Sequence, residues 1–168
     1  DNYFDIVCAF EVIEHLRPSE KFLKEVTKVL KRDGKFFIST PNIKIHSPGG
    51  KIKSAYHLKE YSYREFKSLL ENFFDKVKVY GQFKSLKAKK ALNEFMKSQE
   101  KRQKFVDIDK LGIRKMFPKS IKEKIWKAGG TLFGRGEQEK LTTRDFPIRL
   151  EKVERAGYFV ALCGKGGV

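Results

Sequence analysis

Two carboxylates and an imidazole lie close together near the start of the chain, at Glu11, Glu14 and His15. They follow residues 4–10, a nearly continuous apolar run that predicts a strand buried on both faces of a parallel sheet. Ligands bind at the carboxyl ends of the strands in open α/β sheets. The turn after this strand is therefore the first candidate functional site.

His15 is a candidate general base, because an unperturbed imidazole titrates near neutral pH. The structural alternative is a histidine that fixes the turn through hydrogen bonds. Glu14 either orients His15 or caps the backbone that follows it. The sequence leaves these alternatives open.

A segment without periodicity, residues 41–61, follows the next predicted strand and carries three further polar candidates. It leaves the same edge of the sheet, and loops held by a rigid scaffold commonly carry function. His57 is favoured for a role in the site. His46 lies in a stretch rich in Gly and Pro and is expected to be exposed, and Asn42 is the third candidate.

These candidates need a sheet to position them, and apolar patterns predict its elements. A helix starts near Ser19, the expected N-cap, and ends at residues 33–34; the next strand covers residues 35–40. Strand, helix and strand in this order form a βαβ unit. A second helix follows the capping box of residues 62–65. Two further strands are predicted, at residues 76–82 and 157–163.

Composition narrows the classes of protein. The 37 basic and 21 acidic residues give a formal net charge of +16, which suits an anionic partner but is also typical of a lysine-rich solvated surface. Cys8 and Cys163 lack metal-ligand spacing and are predicted to be buried free thiols in a reducing, cytoplasmic compartment. The sequence shows no membrane-spanning run or signal-peptide pattern. Because a strand starts three residues after Asp1, we expect the chain to be a fragment.

Residues 83–146 have a different character. Their 18 basic and 8 acidic residues give a net charge of about +10. Apolar spacing predicts one helix around Leu92 and a second, basic and amphipathic helix around Trp126. A helical cap over the active edge is the favoured interpretation, and peripheral contact with an anionic membrane through residues 114–135 is the alternative. Nucleic acid is not expected as a partner, because the sequence lacks the aromatic and basic interleaving of RNA-binding modules.

Three stretches together resemble a known family. They are Phe-Asp-Ile-Val-Cys-Ala-Phe-Glu-Val-Ile-Glu-His-Leu at residues 4–16, Val-Leu-Lys-Arg-Asp-Gly-Lys-Phe-Phe-Ile-Ser-Thr-Pro-Asn at residues 29–42, and His57 ahead of the helix of residues 62–66. This pattern resembles the second half of a class I S-adenosylmethionine-dependent methyltransferase of the type 11/12 kind. The resemblance covers about half of the chain.

The resemblance implies an α/β fold: a Rossmann-like methyltransferase sheet, partial, with strands four to seven of seven, and a basic helical insert. Residues 1–82 would form the carboxyl half of the core, residues 83–146 the insert or cap, and residues 147–168 the closing antiparallel strand. The first strand of the family, its glycine-rich loop and its ribose-binding acidic residue are not in this sequence. We therefore expect this stretch alone to bind the cofactor poorly and to be inactive.

The resemblance also implies site roles. S-adenosylmethionine would be the cofactor, and Ala9, Phe10 and Glu11 would line its methionine half. The acceptor is expected to be a small molecule, a glycan or a lipid-linked compound, and no metal site is predicted. The remaining roles are catalytic for His15 and His57 and acceptor-binding for Glu14 and Asn42.

Two other classes of protein stay open. One is a non-catalytic, methyltransferase-like interaction protein whose basic insert binds an anionic partner or a membrane surface. The other is an NAD-type oxidoreductase on a related sheet, which predicts a dinucleotide fingerprint; nothing in residues 11–16 resembles one.

Overall fold

The computed structural model describes residues 1–110 and 140–165 of the chain. The chain divides into two compact units, one formed by Asp1–Phe83 with Phe146–Val168 and the other by Lys84–Asp145. None of the helices in the described ranges is long and apolar enough to cross a membrane. The basic helix predicted around Trp126, and with it the membrane contact predicted for residues 114–135, lies outside the described residues.

The first unit is built on a five-stranded sheet with the order β1-β2-β5-β3-β4. Strands β1 and β2 are parallel, and β5 is antiparallel to both of its neighbours, β2 and β3. The resemblance implies a closing antiparallel strand, and β5 is that strand, so the predicted fold class is confirmed. The structure adds its position, between β2 and β3. The strands are β1 (Phe4–Phe10), β2 (Leu30–Pro41), β3 (Lys76–Gln82), β4 (Ile148–Arg149) and β5 (Tyr158–Gly164).

The α-helices in the described residues of this unit are α1 (Ser19–Val29), α2 (Ile43–His46) and α3 (Tyr63–Glu71). Helix α3 begins at the predicted capping box, in which Ser62 and Glu65 bond reciprocally. The apolar stripes of α1 and α3 contribute to a core on one face of the sheet. Residues of this core that are fully buried include Leu23, Phe36, Ile38, Phe66, Leu70, Phe159 and Ala161.

The prediction that β1 is buried on both faces is wrong. Phe4, Ile6 and Phe10 are more than half exposed, at 53%, 59% and 56%, whereas Ala9 on the opposite face is buried. Cys8 shares the exposed side, so it is not the buried thiol that was predicted. Strand alternation explains the difference, because the core covers only one face of β1 in the described part of the chain.

The thiol of Cys163 points into the core, as predicted. Burial raises its pKa to about 12. The last strand alternates between buried and half-buried residues, so it too is buried fully on one face only. The contrast between Cys163 and Cys8 follows the side of the sheet on which each lies.

Two helix boundaries differ from the prediction. Helix α1 ends at Val29, earlier than the predicted residues 33–34, because Leu30 already pairs with Phe4 in the sheet. A register shift separates this pair from the rest of the β1–β2 ladder. Its N-cap is Pro18, and Ser19 is the first helical residue.

Helix α2 lies in the segment expected to have no regular structure. The side chain of Asn42 caps it by accepting a hydrogen bond from the Lys44 amide.

The second unit contains α4 (Leu86–Lys110), as expected from the apolar spacing around Leu92. Ser85 precedes this helix and accepts from the Ala88 amide at 3.0 Å, while its hydroxyl donates to Asp145 Oδ1 at 2.8 Å. The Thr142 amide donates to the other oxygen of Asp145 and, with the Ser85 hydroxyl, holds the pKa of that carboxyl below its usual range. This network ties the two described ends of the unit together.

Leu70 on α3 tests whether the one-sided core holds the first unit together. Leu70→Ala removes a fully buried side chain, so we expect the free energy of unfolding to fall by about 2–5 kcal/mol. The matched control is Leu86→Ala, since Leu86 also lies in a helix but is 84% exposed; its effect should stay within about 0.5 kcal/mol. Urea denaturation of the protein made from its full reading frame measures both, and equal losses would contradict the assignment of the core.

Candidate active site

The turn after β1 is joined to the end of β2 by its own side chains. Glu11 has a left-handed backbone, with φ +55°, and its amide donates to Ser39 Oγ at 3.1 Å. The Ser39 hydroxyl in turn donates to Glu11 Oε1 at 2.6 Å. Phe10 pairs with Ser39 in the parallel ladder. The register of β1 against β2 therefore determines where the first carboxylate of the motif lies.

A second segment, residues 56–60, is held against this turn by hydrogen bonds from and to its backbone. The amides of Leu58 and Lys59 both donate to the carbonyl of Glu14, at 2.8 and 3.1 Å. The side chain of Arg17 donates to the carbonyl of Leu58. These bonds bring two regions more than forty positions apart in sequence into one site.

Glu14, His15 and His57 form a cluster at this junction. One ligand-type atom from each lies within 4.8 Å of the other two. His15 Nε2 is 4.0 Å from Glu14 Oε1, and the two imidazole rings meet edge-on with their centroids 5.1 Å apart. The structure thus brings both histidines predicted to be catalytic together with one of the predicted acceptor-binding residues.

Each imidazole is oriented by a hydrogen bond at Nδ1. His15 Nδ1 lies 2.8 Å from the carbonyl of Tyr56, and His57 Nδ1 lies 2.7 Å from Glu60 Oε1. Glu60 is not among the residues predicted from the sequence for this site. Its spacing of three residues from His57 is the signal that could have identified it, although no regular helix joins the two.

Glu14 is fully buried, and its two oxygens have different surroundings. Oε2 accepts from the Thr40 hydroxyl at a long 3.4 Å, and Oε1 has no hydrogen-bond partner among the described residues. Burying a carboxylate oxygen without a partner costs free energy. The arrangement therefore favours a group that would approach Oε1 from the side of the two imidazoles.

Glu11 lies near the cluster but is engaged differently. Loss of hydration raises the pKa of its carboxyl, the hydrogen bond from Ser39 partly offsets this rise, and the charge of Glu14 adds to it. Taken as a whole, Glu11 is exposed to solvent. Glu11 is thus an accessible carboxylate at the strand end, whereas Glu14 is enclosed.

The residues predicted to line the cofactor lie on different sides of β1. Ala9 faces the core and leaves only its backbone at the strand end, whereas the Phe10 ring is exposed. An apolar cavity of about 720 Å³ begins at Phe10, Glu11 and Ser39 and follows the open face of the sheet past Tyr158. An exposed aromatic ring and a carboxylate thus line this cavity.

Asn42 was predicted to bind the acceptor, but its side chain forms hydrogen bonds with backbone groups. Its Nδ2 donates to the carbonyls of Glu154 and Ala156, at 3.0 and 2.8 Å, and its Oδ1 accepts from the Lys44 amide. The residue is fully buried. Asn42 therefore joins the end of β2 to the turn before β5, and we leave it out of the proposed site.

The third histidine lies elsewhere. The ring of His46 packs against Tyr158 with centroids 4.7 Å apart, so His46 is partly covered and not simply exposed as expected. It is not part of the cluster formed by Glu14, His15 and His57.

Sequence comparisons find relatives for part of the chain. Residues 1–38 match the family described as "Methyltransferase domain". A "Probable S-adenosylmethionine-dependent methyltransferase" of Mycolicibacterium smegmatis is 39% identical over 72 residues, which is 42% of this chain and 28% of that protein. The mitochondrial ubiquinone biosynthesis O-methyltransferase of Dictyostelium discoideum is 45% identical over 42 residues, 25% of this chain and 13% of that protein.

Among solved structures, the chain is similar to phosphoethanolamine N-methyltransferase 2 of Haemonchus contortus in complex with S-adenosyl-L-methionine. The TM-score is 0.40 at 14% identity, with 99% of this chain and 34% of that chain covered. This chain matches about a quarter of the length of the Mycolicibacterium smegmatis protein, so it spans only part of its curated relatives.

The structural role of Asn42 predicts a loss of stability on truncation. Asn42→Ala leaves the buried carbonyl of Ala156 and the partly buried carbonyl of Glu154 without this donor and removes the cap of α2, so the free energy of unfolding should fall by about 2–4 kcal/mol. Asn93→Ala, on an exposed part of α4, is the control and should have little effect. Thermal unfolding followed by circular dichroism measures both, and an unchanged midpoint for Asn42→Ala would contradict this role.

Proposed function

We propose that this chain contributes the acceptor side of an enzyme that methylates a hydroxyl group. Its amino-terminal region belongs to the class I S-adenosylmethionine-dependent methyltransferases. The observation that carries this proposal is the cluster of Glu14, His15 and His57 beside the exposed Glu11, all at the carboxyl end of β1. Acidic and imidazole groups at this edge are placed where an α/β sheet binds ligands.

S-adenosylmethionine is the methyl donor of this family and supplies an activated methyl group on a positively charged sulfur. Glu11 and Phe10 would hold its methionine part, Glu11 as the partner of the ammonium group and Phe10 as an apolar contact. Support comes from the exposure of both residues and from the cavity that opens between them and Ser39. A charge-assisted hydrogen bond of this kind contributes more than a neutral one.

Methyl transfer to oxygen forms a carbon–oxygen bond and breaks a carbon–sulfur bond, whose electron pair stays on sulfur. The remaining task is to hold the acceptor in line and remove the proton from its hydroxyl. In the neutral imidazoles of His15 and His57, the Nδ1 atoms face oxygen acceptors, so Nε2 carries the lone pair. Either Nε2 can accept the proton of a hydroxyl bound at the cluster.

The acceptor class that we favour is a small molecule, a glycan or a lipid-linked compound. Support for an oxygen acceptor is the similarity to a relative named as an O-methyltransferase of ubiquinone biosynthesis. The cluster is open on the side of His15, whose side chain is 39% exposed. This opening is compatible with an acceptor that presents one hydroxyl.

The contact between Glu11 and the cofactor can be tested by binding alone. Glu11→Gln keeps the acceptor for the Ser39 hydroxyl but removes the charge, so affinity for S-adenosylhomocysteine should fall about 10- to 100-fold. Glu25→Gln on α1, which removes only an exposed ion pair with Lys28, is the control and should bind as the unchanged protein does. Isothermal titration calorimetry on the protein from its full reading frame measures both.

Two results of that titration would count against the proposal. Equal affinity of Glu11→Gln and the unchanged protein would remove Glu11 from the cofactor site. Complete absence of S-adenosylhomocysteine binding by the unchanged protein would overturn the methyltransferase assignment, and the non-catalytic interaction protein would become the leading alternative.

The role of His15 is tested by separating catalysis from cofactor binding. His15→Ala should slow methyl transfer at least about 100-fold while affinity for S-adenosylhomocysteine changes less than about twofold. Transfer of tritium from labelled S-adenosylmethionine into the small-molecule and lipid fractions of a cell extract gives the rate. His46→Ala, which changes a histidine outside the cluster, is the control. A loss below about tenfold for His15→Ala would assign His15 a structural role.

A further inference from the structure

We propose that Glu14, His15 and His57 form a binding site for one divalent transition-metal ion. One potential ligand atom from each residue lies within 4.8 Å of the others. The three come from two segments that hydrogen bonds hold together, the turn after β1 and residues 56–60. This site differs from the prediction made from the sequence, which included no metal.

The hydrogen bonds of the two imidazoles prepare them as ligands. A backbone carbonyl only accepts, so the Nδ1 of His15 that faces the carbonyl of Tyr56 carries the proton. The same holds for His57 Nδ1 against the carboxylate of Glu60. In each neutral ring the lone pair is then on Nε2. Histidines that bind metals almost always donate their other ring N–H to a backbone carbonyl or a carboxylate, and this cluster contains one example of each.

The surroundings of Glu14 supply an independent observation. Its side chain is only 1% exposed, and its Oε1 has no hydrogen-bond partner within the described ranges. The nearest cationic candidate is His15 Nε2, at 4.0 Å, which is beyond hydrogen-bond distance. A cation between Oε1 and the imidazoles would give this carboxylate oxygen the partner that it lacks among the described residues.

The donor set identifies the class of ion. Two imidazole nitrogens and one carboxylate oxygen are the protein ligands of catalytic zinc sites and of non-haem iron(II) sites, both of which keep an open position. Magnesium and calcium prefer sites built from oxygen. We therefore infer a first-row transition ion, with Zn²⁺ as the probe and Co²⁺ as its spectroscopic substitute.

Closing the site requires only a small movement. Ligands bound at about 2.0–2.1 Å in a tetrahedral site lie roughly 3.3 Å apart, so the ligand atoms need to approach by up to about 1.5 Å. His15 can make this movement because its side chain is 39% exposed. Glu14 and Glu60 are buried and hold the other side of the site in place.

The use of this ion in catalysis rests on the proposed function. An acceptor hydroxyl bound at the open position would have its pKa lowered by the cation, as bound water does. In the metal-bound form both Nε2 lone pairs would be ligands, so this path would replace the proton transfer to an imidazole proposed for the metal-free cluster, and the proton would pass to solvent water. The hydroxyl oxygen would keep its electron pair for the bond to the methyl carbon.

Metal binding is tested on the protein made from its full reading frame after treatment with a chelator. We expect the unchanged protein to bind one Co²⁺ per chain with visible absorption bands typical of nitrogen ligation, and Zn²⁺ to displace it. His15→Ala and His57→Ala should each weaken Zn²⁺ binding by at least about 100-fold, more than the loss of an orienting partner causes. Mg²⁺ should not compete at similar concentrations.

Two further variants make the test specific. Glu60→Gln retains an acceptor oxygen for His57 but loses the charge, and should weaken Zn²⁺ binding about 10-fold or more while leaving the number of sites at one. His46→Ala changes the only other histidine in the sequence and should bind Zn²⁺ normally. Each variant is accepted for comparison only if its circular dichroism spectrum matches that of the unchanged protein. Because His15 is partly exposed, His15→Ala is the variant expected to fold in any case.

The proposal is overturned if the unchanged protein binds no Co²⁺ or Zn²⁺ stoichiometrically, or if the folded His15→Ala variant binds Zn²⁺ with unchanged affinity. Failure of the proposed function looks different: Zn²⁺ binds, but S-adenosylhomocysteine does not. If both bind and methyl transfer is unchanged by the chelator, the metal site stands and its catalytic use is rejected.

Discussion

The candidate site depends on the hydrogen bonds that hold residues 56–60 against the turn after β1. The carbonyl of Glu14 accepts from the amides of Leu58 and Lys59, and His15 Nδ1 meets the carbonyl of Tyr56. These are mainly backbone interactions, so they depend on the path of the chain more than on particular side chains. Without them His57 and Glu60 would have no reason to lie beside Glu14, and the cluster would not exist.

That turn is itself positioned by the parallel ladder between β1 and β2. Because Phe10 pairs with Ser39, the Ser39 hydroxyl reaches Glu11, and the next residue of β2, Thr40, faces Glu14 in the interior. A shift of the ladder by one residue would exchange the two faces of a strand. It would bring Ser39 to the interior and Thr40 to the open face, so the core and the site require the same register.

Two buried carboxylates, Glu14 and Glu60, distinguish the cluster from an ordinary surface pair. Each has one oxygen without a hydrogen-bond partner in the described part of the chain. Acidic side chains are rarely buried unless they are paired, because loss of hydration is costly. Within the described part of the chain, each lies beside an imidazole, Glu14 at 4.0 Å from His15 and Glu60 at 2.7 Å from His57. Buried acidic groups without partners lower the free energy of unfolding, and proteins usually keep them only where they serve a function. Both proposals start from this observation.

Local sequence signals predicted strands β1, β2, β3 and β5 and helices α1, α3 and α4, but not α2 or β4. Apolar runs, the capping box at Ser62 and the carboxylates after β1 are local signals, because each depends on neighbours within a turn or a strand. Three further features depend on the tertiary structure. They are the covered side of each strand, the hydrogen bonds from Asn42 to backbone carbonyls, and the orientation of His57 by Glu60. Those outcomes depend on contacts between residues far apart in the chain, and periodicity carries no information about such contacts.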